Sequence, residues 1–600
     1  MRQFLLLCAA VPAVCLSADF EALEEVVITA TRSATPVARL ALPVTVIDRA
    51  ELERGAAIDA ADALAGHAGI EIARTGGPGQ PASLFMRGTN SNHTVVLVDG
   101  VRINPGTLGG AALYDILPES IERIEVVRGA RSALWGTDAI GGVVNVITRA
   151  GKARAPAAVL AGGSFGTRLA GVDAGADLGA RAGVGGSLAR QTSEGFAPLA
   201  SDPRRRGYRN TSGNVAAYVE PTGDWRVQLG GWQAEGVSEY LGYDDQFNFG
   251  PLSQQFRTSA WSLSAVQSAP RYRWETRLTR ADNRLDQRQF ADYDHSRRDS
   301  AETLVGVPLG AQQLLAGAEF TREATASASF GTVYDVITRS ERYYAQDQIT
   351  AGAHDVLLAL GRIEHPNFGG HTSWNAEWNW RAAAAWRASL AAGSAYHAPD
   401  STARYGYGGN PALRPERSTQ VEAGLHWQGA AGQALTLDLF DIEVRDLIEL
   451  VLTDPLAFTF QARNVERAHI RGAEFGWQAT LGHWRIDAAL TLQDPRNATA
   501  DERLARRART HANLRVSYER ERWQAFAAAQ GSGARADVAF PSNVTLPGYT
   551  TVNAGLGWRL ADAWSLQVRA DNLLDRRYQL VYGYNTPRRN YLLTLRYRRH

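Results

Sequence analysis

Apolar and polar residues alternate with a period of two through most of the chain after residue 150. The segment 484–493 shows the pattern: Trp484, Ile486, Ala488, Leu490 and Leu492 alternate with Arg485, Asp487, Ala489, Thr491 and Gln493. Successive side chains of a strand point to opposite faces, so such a strand has one apolar and one polar face. A soluble β-sandwich also alternates, but here the second face is charged in strand after strand, which favours a barrel between lipid and a wet lumen.

The clearest hairpin lies near the C-terminus. Apolar residues alternate from Val552 to Leu560, a turn follows at Ala561-Asp562-Ala563, and alternation resumes at Trp564. Trp558 and Trp564 flank the turn, as is typical of an interfacial aromatic girdle. Long polar segments at 192–213, 235–257 and 282–299 contrast with short turns elsewhere, which predicts a barrel with one end of long loops and one of short turns.

Residues 34–150 are predicted to form a separate α/β domain. Strands are expected at Pro43 to Ile47, Ile70 to Ile72, Val95 to Val98 and Val143 to Ile147, and a helix at Ile58 to Leu64. Two Gly/Pro-rich loops, Arg74 to Pro81 and Asn104 to Ala111, are too irregular for either element. Loops carry binding residues more often than the elements they join, although mobile surface loops without a ligand would read the same way.

The N-terminus contains two further segments. Residues 1–18 combine Arg2, an apolar run and the small residues Ser17 and Ala18, which indicates a secretory signal peptide that contains both cysteines. Residues 19–33 hold a short β-prone run flanked by charge, with no strand nearby in sequence to pair with. Such a run suits strand addition to another protein's sheet edge, although a disordered tail or a first strand of the 34–150 domain would also fit it.

Composition excludes several classes of protein. The chain has 63 basic and 62 acidic residues, which argues against nucleic-acid binding. After residue 18 no run approaches the roughly 20 apolar residues of a membrane-spanning helix. There is no phosphate-binding GxxxxGK[ST] and no HExxH. Gly162 to Gly166 match GxSxG, but no helix is predicted after them, so we do not expect an enzyme.

Four motifs of the 34–150 domain carry a resemblance that covers essentially all of the chain after the signal peptide. They are Gly76 to Gln80, Phe85 to Asn90, Val98 to Arg102 and Arg128 to Ala133. The chain resembles the TonB-dependent outer-membrane receptors, and in these motifs the members that take up vitamin B12 (cobalamin). Asn410 to Glu416 and Asp571 to Asp575 are generic to the family, whereas Val581 to Thr586 resemble the cobalamin branch.

The resemblance implies a 22-stranded antiparallel transmembrane β-barrel (residues 151–600) occluded by an N-terminal α/β plug domain (34–150). Roughly 450 residues at about 20 per strand and connection give the same number. It also implies transport driven by the TonB protein, which would grip a TonB box at 19–33. The box residues are Glu24, Glu25, Val26, Val27, Ile28, Thr29 and Ala30. Lipopolysaccharide, outer-membrane lipid and the barrel assembly machinery would be further partners.

Substrate contacts can be carried over motif by motif. They fall on Thr75, Gln80, Pro81 and Ala82 in the first loop, on Leu108 and Gly109 in the second, and on Tyr407 and Tyr584 in the barrel. Corrinoids present amides around a flat, partly apolar ring, which an amide side chain, backbone groups and tyrosines can bind. Pro81, Ala82 and Gly109 replace polar family contacts, so binding would depend more on shape and backbone, or the preferred corrinoid would differ.

Two departures from the family concern calcium and the C-terminus. The stretch Asp202 to Asn210 is cationic where family members have calcium-binding aspartates, so we expect no calcium there, although Asp244 and Asp245 could contribute elsewhere. The chain ends Tyr597-Arg598-Arg599-His600 instead of in an aromatic residue. Apart from a corrinoid transporter, the sequence leaves open a receptor for a ferric siderophore or other metal chelate, and a passive surface receptor or adhesin.

Overall fold

The computed structural model describes residues 26–27, 29–149, 151, 154–244, 246, 248–430, 432–454, 459–539 and 542–599. The predicted signal peptide lies outside the described residues, as do Glu24, Glu25, Ile28 and Asp245 of the predicted sites. No helix in the described part of the chain is long and apolar enough to cross a membrane.

Residues 26–149 form a mixed α/β domain inside a barrel, and we call it the plug. Its strands are β1 (Val26–Val27), β2 (Thr35–Pro36), β3 (Val44–Asp48), β4 (Ile70–Arg74), β5 (Ala82–Met86), β6 (Thr94–Val98), β7 (Val101–Arg102), β8 (Ile121–Arg128) and β9 (Gly142–Thr148). Its helices are α1 (Arg49–Gly55), α2 (Ala60–Leu64) and α3 (Ser132–Trp135), with 3-10 turns at Val37–Arg39, Ser91–His93, Leu113–Asp115 and Pro118–Ser120.

A five-stranded sheet in the order β3-β8-β9-β6-β7 is the centre of the plug. The strands β6 and β9 pair in parallel, and the other pairs are antiparallel. Every residue of β6 is buried, because helices and the barrel wall cover both faces of the sheet. Asp48 and Asp59 cap α1 and α2 by accepting hydrogen bonds from the backbone N–H groups of Glu51 and Asp62.

The remaining strands close into an antiparallel barrel, with 22 wall strands in the described residues, which confirms the predicted fold class. They are β10 (Arg154–Gly163), β11 (Thr167–Asp177), β12 (Ala182–Ser193), β13 (Tyr208–Val219), β14 (Trp225–Tyr243), β15 (Phe249–Ala269), β16 (Tyr272–Gln287), β17 (Tyr293–Leu309), β18 (Gln312–Ser329), β19 (Thr332–Ala351), β20 (His354–His365), β21 (Gly369–Ala383), β22 (Trp386–His397), β23 (Glu416–Gln428), β24 (Ala434–Asp454), β25 (Thr459–Leu481), β26 (Trp484–Asn497), β28 (Thr510–Arg520), β29 (Trp523–Ser532), β32 (Tyr549–Ala561), β33 (Trp564–Asp571) and β34 (Asn590–Arg598).

Three short strands and one helix lie in the connections. They are β27 (Glu502–Arg503), β30 (Arg535–Ala539), β31 (Ser542–Leu546) and α4 (Ser401–Tyr405). The candidate GxSxG at 162–166 spans the end of β10 and a 3-10 turn, Ser164–Gly166, and a strand follows it instead of the helix that a catalytic elbow requires.

The two faces of the barrel wall differ as the period-two pattern predicts. Outward positions carry exposed apolar side chains such as Leu229, Leu278, Phe320, Leu360, Leu439 and Leu556, whereas buried polar side chains such as Asn214, Glu302, Glu377, Glu422 and Glu474 face the plug. Trp523 stacks on Trp558 with ring centroids 5.0 Å apart, and Trp564 lies 5.0 Å from Tyr597. These aromatic pairs form part of a girdle at one end.

The barrel has a short-turn end, where β10 begins, and a long-loop end opposite. Connections at the short-turn end are only two to five residues, whereas the long-loop end carries 194–207, 398–415, 498–509, 533–548 and 572–589. Two of the predicted long loops are wrong: most of 235–257 belongs to β14 and β15, and most of 282–299 belongs to β16 and β17. These segments are polar because the strands extend past the apolar belt, where both faces can be polar.

Candidate functional site

The first plug loop, 75–81, is held in a tight conformation by its own backbone. The N–H and hydroxyl of Thr75 both donate to the carbonyl of Pro81, at 3.1 and 3.2 Å, and the N–H of Gln80 donates to the carbonyl of Gly77 at 3.2 Å. Gly79 has φ +72°, and a Cβ there would overlap the ring of Tyr208 on β13. Only glycine therefore fits where the loop passes the barrel wall.

The predicted contact residues Gln80, Pro81 and Ala82 differ in how accessible they are to a ligand. Gln80 is buried, and its Nε2 donates to the carbonyl of Glu239 on β14 at 2.6 Å. Ala82 is half-buried and pairs with Arg74 across the β4–β5 hairpin. Pro81 is exposed. In this conformation the loop presents Pro81 outward while the amide of Gln80 holds the loop to the wall.

The second plug loop, 104–111, is organised around the side chain of Asn104. Its Nδ2 donates to the carbonyls of Thr94 and Gly109, at 3.0 and 2.8 Å, and its Oδ1 accepts from the N–H of Val96 at 2.7 Å. Gly109 is buried with φ +70°. Leu108 is 49% exposed, so this loop presents an apolar side chain at its tip.

A barrel loop clamps this second plug loop. The N–H groups of Ser401 and Thr402, in α4, donate to the carbonyls of Gly106 and Thr107 at 2.9 and 3.1 Å. Asp400 caps α4 by accepting from the N–H of Ala403 at 2.8 Å, and burial raises the pKa of its carboxyl to about 6. The clamp is not among the features predicted from the sequence, although Asp400 before Ser401 and Thr402 is a recognisable helix N-cap signal.

The two predicted barrel tyrosines differ in exposure. Tyr407 follows α4 and is 42% exposed, with its ring centroid 5.6 Å from that of Phe330. Tyr584 is half-buried and packs beside Ala73, Phe85 and Val581. All eight predicted contact residues thus lie at the long-loop end, on the two plug loops or on the barrel loops beside them.

Two barrel loops meet above the first plug loop. The N–H of Asn585 donates to the carbonyl of Pro198 at 2.6 Å, and Leu199 forms a β-bridge with Tyr584. A Cβ on Gly77 would lie 3.1 Å from the ring of Phe196. Phe196 and Pro198, in the loop 194–207, therefore also border the candidate site, and the family motifs do not include them.

The described part of the predicted TonB box is packed inside the protein. Val27, Thr29 and Ala30 are fully buried. The N–H and hydroxyl of Thr29 donate to Oε2 of Glu125, at 3.0 and 2.6 Å, and the indole N–H of Trp135 donates to the Thr29 carbonyl at 2.9 Å. The expectation of no nearby partner strand is wrong, because β1 pairs with β2 only eight residues downstream.

Arg32 joins this segment to the barrel. Its guanidinium binds both carboxylate oxygens of Glu302 on β17, at 2.8 and 2.7 Å, and lies 3.7 Å over the ring of Trp135. Elsewhere the plug is held by buried ion pairs: Arg87 binds Glu422 and Glu474, at 2.6 and 2.8 Å, and Arg131 binds Glu377. Such pairs are costly to break singly, so the plug is firmly seated in this state.

Of the two candidate calcium residues, Asp244 lies within the described residues and is bonded to its own loop. Asp244 accepts hydrogen bonds from the N–H groups of Gln246 and Asn248, at 2.9 and 2.8 Å, and the Asn248 bond lowers the pKa of its carboxyl. Asp202 is bound by Arg204 and Arg206. Within the described ranges, no group of three or more His, Cys, Asp or Glu residues is arranged to hold a metal ion.

Comparison with known proteins gives matches along nearly the whole chain. A family model described as TonB dependent receptor-like, beta-barrel matches residues 159–573, and the TonB-dependent Receptor Plug Domain matches 36–143. The Vitamin B12 transporter BtuB of Photobacterium profundum is 29% identical over 627 residues, covering 100% of both chains. That of Vibrio vulnificus is 28% identical, covering 96% of this chain and 95% of the relative.

Solved structures with the same fold include two receptors of Pseudomonas aeruginosa. A mutant of the ferric enterobactin receptor PfeA gives a TM-score of 0.82 at 17% identity, covering 96% of this chain and 100% of that one. The ferripyoverdine receptor bound to ferripyoverdine gives 0.80 at 14% identity, covering 96% and 88%. At these identities the likeness concerns the fold alone.

Proposed function

The chain belongs to the TonB-dependent receptor family, whose members carry substrates across the outer membrane, and we propose that its substrate is cobalamin or a related corrinoid. The observation that carries the proposal is that two plug loops and two barrel tyrosines, Tyr407 and Tyr584, lie at the same end of the barrel, the long-loop end. Full-length relatives named as vitamin B12 transporters support the same substrate.

The exposed surface of the site suits a large, flat and mainly uncharged ligand. Pro81, Leu108 and Tyr407 present apolar or aromatic groups from three different loops. A corrin ring can lie on such a surface while its peripheral amides bond to backbone groups of the Gly-rich loops. Tyr584 and Gln80 then become accessible only if the loops at 194–207 and 572–589 move.

In this proposal the long-loop end faces the exterior and the box segment delivers the transport force. Substrate binding outside loosens the buried residues Val27, Thr29 and Ala30, and the box segment then adds as a strand to TonB. Mechanical work from TonB moves the plug, and the chain performs no covalent chemistry.

The substrate is tested by measuring binding of labelled cyanocobalamin to the purified, folded protein. The double variant L108A/Y407A should bind at least tenfold more weakly, because each truncation removes an apolar contact of roughly 1 to 2 kcal/mol. The control is Y582A, which removes a tyrosine that is 48% exposed in the same loop as Tyr584. Wild-type protein that binds a ferric siderophore and no corrinoid would refute the substrate while leaving the family intact.

A further inference from the structure

A narrow cavity lies between the plug and the wall strands β16 to β20. It extends from Arg32, beside the box segment, to Tyr405 of α4 at the long-loop end, where it borders the second plug loop at Gly106 and Gly109. Its volume is about 130 Å³, below the roughly 300 Å³ and more of a site for a whole small molecule. Its outer end therefore has room for one substituent of a ligand and not for a corrin ring.

Arg404 is the unpaired arginine of this cavity. Six arginines line the cavity, and five of them form ion pairs with carboxylates: Arg32, Arg102, Arg277, Arg298 and Arg342. In the described part of the chain, no carboxylate lies within ion-pair distance of Arg404, and its buried Nε has no hydrogen-bond partner. Buried donors in proteins almost always have an acceptor, so this arginine is open to an acceptor from a ligand.

Aromatic rings hold the Arg404 side chain in place. Its guanidinium carbon lies 4.9 Å from the ring centroid of Phe368, in the turn between β20 and β21, and 4.6 Å from that of Tyr405. Such contacts fix the position of the charge, but the rings have no oxygen to accept its N–H groups. The helix α4 is itself braced, since the hydroxyls of Thr402 and of Tyr334 on β19 are hydrogen-bonded at 2.8 Å. The donors of Arg404 are thus positioned in advance for an incoming acceptor.

Arg404 lies beside the proposed substrate contacts of the second plug loop. The N–H of Thr402, two residues before it, donates to the carbonyl of Thr107 at 3.1 Å, next to the exposed Leu108. Tyr407, three residues after it, is also exposed. A ligand that covers Leu108 and Tyr407 therefore has Arg404 at its edge.

We propose that Arg404 binds the phosphodiester of the corrinoid and thereby selects corrinoids that carry a nucleotide. The phosphodiester links the corrin ring to the nucleotide base and is the anionic group of cobalamin, whereas the amides around the ring are uncharged. The guanidinium fork matches phosphate oxygens. The inference rests on the proposed substrate, and it adds an orientation in which the nucleotide side of the ligand faces α4 and the β20–β21 turn.

Other charged groups of the site do not replace Arg404 in this role. Arg507 donates to the carbonyls of Gly88 and Ala505 and to Oδ1 of Asn90, so its donors are already occupied. Asp400 does not neutralise Arg404, because its carboxylate caps α4 and makes no ion pair with that arginine among the described residues. The phosphate contact is therefore assigned to Arg404.

The test measures binding of three ligands to the purified, folded protein. They are cyanocobalamin, cobinamide, which has the ring and amides but neither phosphate nor base, and cobinamide phosphate, which has the phosphate without the base. Arg404→Gln should bind cyanocobalamin and cobinamide phosphate roughly tenfold or more weakly, as expected for loss of a charge-assisted hydrogen bond. It should bind cobinamide like wild type, which also shows that the variant is folded. Arg404→Lys keeps the charge and should give an intermediate affinity for the two phosphate ligands.

The matched control is Arg414→Gln, in the same connection between β22 and β23. Arg414 is paired with Asp446 at 2.5 Å, so this variant carries the same charge change and should bind all three ligands like wild type. If Arg404→Gln does not fold, wild-type protein decides: its preference for cobinamide phosphate over cobinamide should fall with added salt, because salt screens a contact between charges.

The outcomes separate this inference from the proposed substrate. Equal weakening of cyanocobalamin and cobinamide by Arg404→Gln, or unchanged binding of cyanocobalamin, would overturn the phosphate contact and leave the corrinoid assignment intact. A wild-type preference for cobinamide phosphate that is absent or independent of salt would do the same. Wild-type protein that binds none of the three corrinoids would overturn both.

Discussion

At the scale of single residues, Gly79 fixes the shape of the first plug loop. Its positive φ and its approach to Tyr208 both exclude a side chain. We expect Gly79→Ala to displace the loop and weaken cyanocobalamin binding by tenfold or more, since a left-handed alanine costs on the order of 1 kcal/mol even without a clash. The measurement is equilibrium binding to the detergent-solubilised protein.

Gly331 provides the matched control for this substitution. Its φ is +76°, and nothing lies within 4 Å of a Cβ built there. Gly331→Ala therefore has only the unfavourable left-handed backbone and no steric overlap, in a turn at the same end of the barrel. If both variants bind cyanocobalamin equally well, the close approach to Tyr208 has no role in shaping the site.

We expect Asp115 to make the stability of the plug depend on pH. Its carboxyl is buried and accepts a hydrogen bond from the hydroxyl of Tyr208 at 2.8 Å, and burial raises its pKa from 3.8 to about 8. Between these two values the folded plug retains a proton that the unfolded chain loses. The free energy of unfolding should therefore fall as pH rises from about 4 to about 8.

Asp115→Asn tests this dependence, because asparagine resembles the protonated acid and cannot ionise. We expect the variant to lose that part of the pH slope and to be more stable than wild type near pH 8. Urea unfolding of the plug inside the solubilised barrel, followed at several pH values, measures both. An unchanged slope in the variant would assign the pH dependence to other groups.

At the scale of elements, β1 must leave its buried position before it can pair with another protein, because Val27 is fully buried. Val27→Pro removes a backbone N–H that a sheet ladder requires. We expect the variant to bind substrate normally and to lose uptake, because the binding loops lie at the opposite end of the plug from its N-terminal segment. Uptake of labelled cyanocobalamin by whole cells is the measurement, with surface binding in the same cells as reference.

Val27→Ala is the control for the packing of this segment. Val27 is fully buried beside Ala30, Leu40 and Val127, so both substitutions loosen its packing, but only proline removes the N–H. Uptake should persist with alanine and fail with proline. Normal transport by the proline variant would exclude strand addition as the coupling step.

How far the sequence predicts each element depends on the range of the interactions that form it. The wall strands follow from a local period of two, and Val95 to Val98 and Val143 to Ile147 lie within β6 and β9. The sequence does not predict that β14 to β17 extend into polar segments. The side chains there are polar because the strands have left the apolar belt, and polarity does not show whether the backbone still pairs. The β1–β2 pair is local, but each strand has only two residues, which is too short for a period-two pattern. The clamp of α4 on Gly106 is a tertiary contact that no local pattern contains.

The same limit applies to the candidate site. The family motifs predict contact residues on two plug loops and in the barrel. They contain neither the hydrogen bond from the amide of Gln80 to the carbonyl of Glu239 nor the half-buried position of Tyr584. Those facts arise where loops from distant parts of the chain meet. Phe196 and Pro198 were missed for this reason.

At the scale of the whole molecule, the plug is seated in the barrel by buried ion pairs, so transport requires either that it move within the barrel or that it leave. Ala130 follows β8 of the plug, and its Cβ lies 3.4 Å from the Cβ position of Gly393 on β22. This separation is near that of a disulfide. A side chain at 393 would displace the amide of Asn375, which donates to the carbonyl of Ala130 at 2.7 Å. Both native cysteines lie in the first 18 residues, so an introduced pair has no thiol partners in the rest of the chain.

We expect the oxidised double variant A130C/G393C to bind cyanocobalamin and to lose uptake, and reductant to restore uptake, because the bond fixes the plug to the wall without touching the long-loop end. The control is G171C/A189C, which joins β11 to β12 within the wall; there a Cβ on Gly171 would lie 3.3 Å from that of Ala189. This bond should leave uptake unchanged in both redox states. Full uptake by the oxidised A130C/G393C variant would mean that the substrate passes while the plug stays attached to β22. The part of the plug that moves would then be limited to its N-terminal strands.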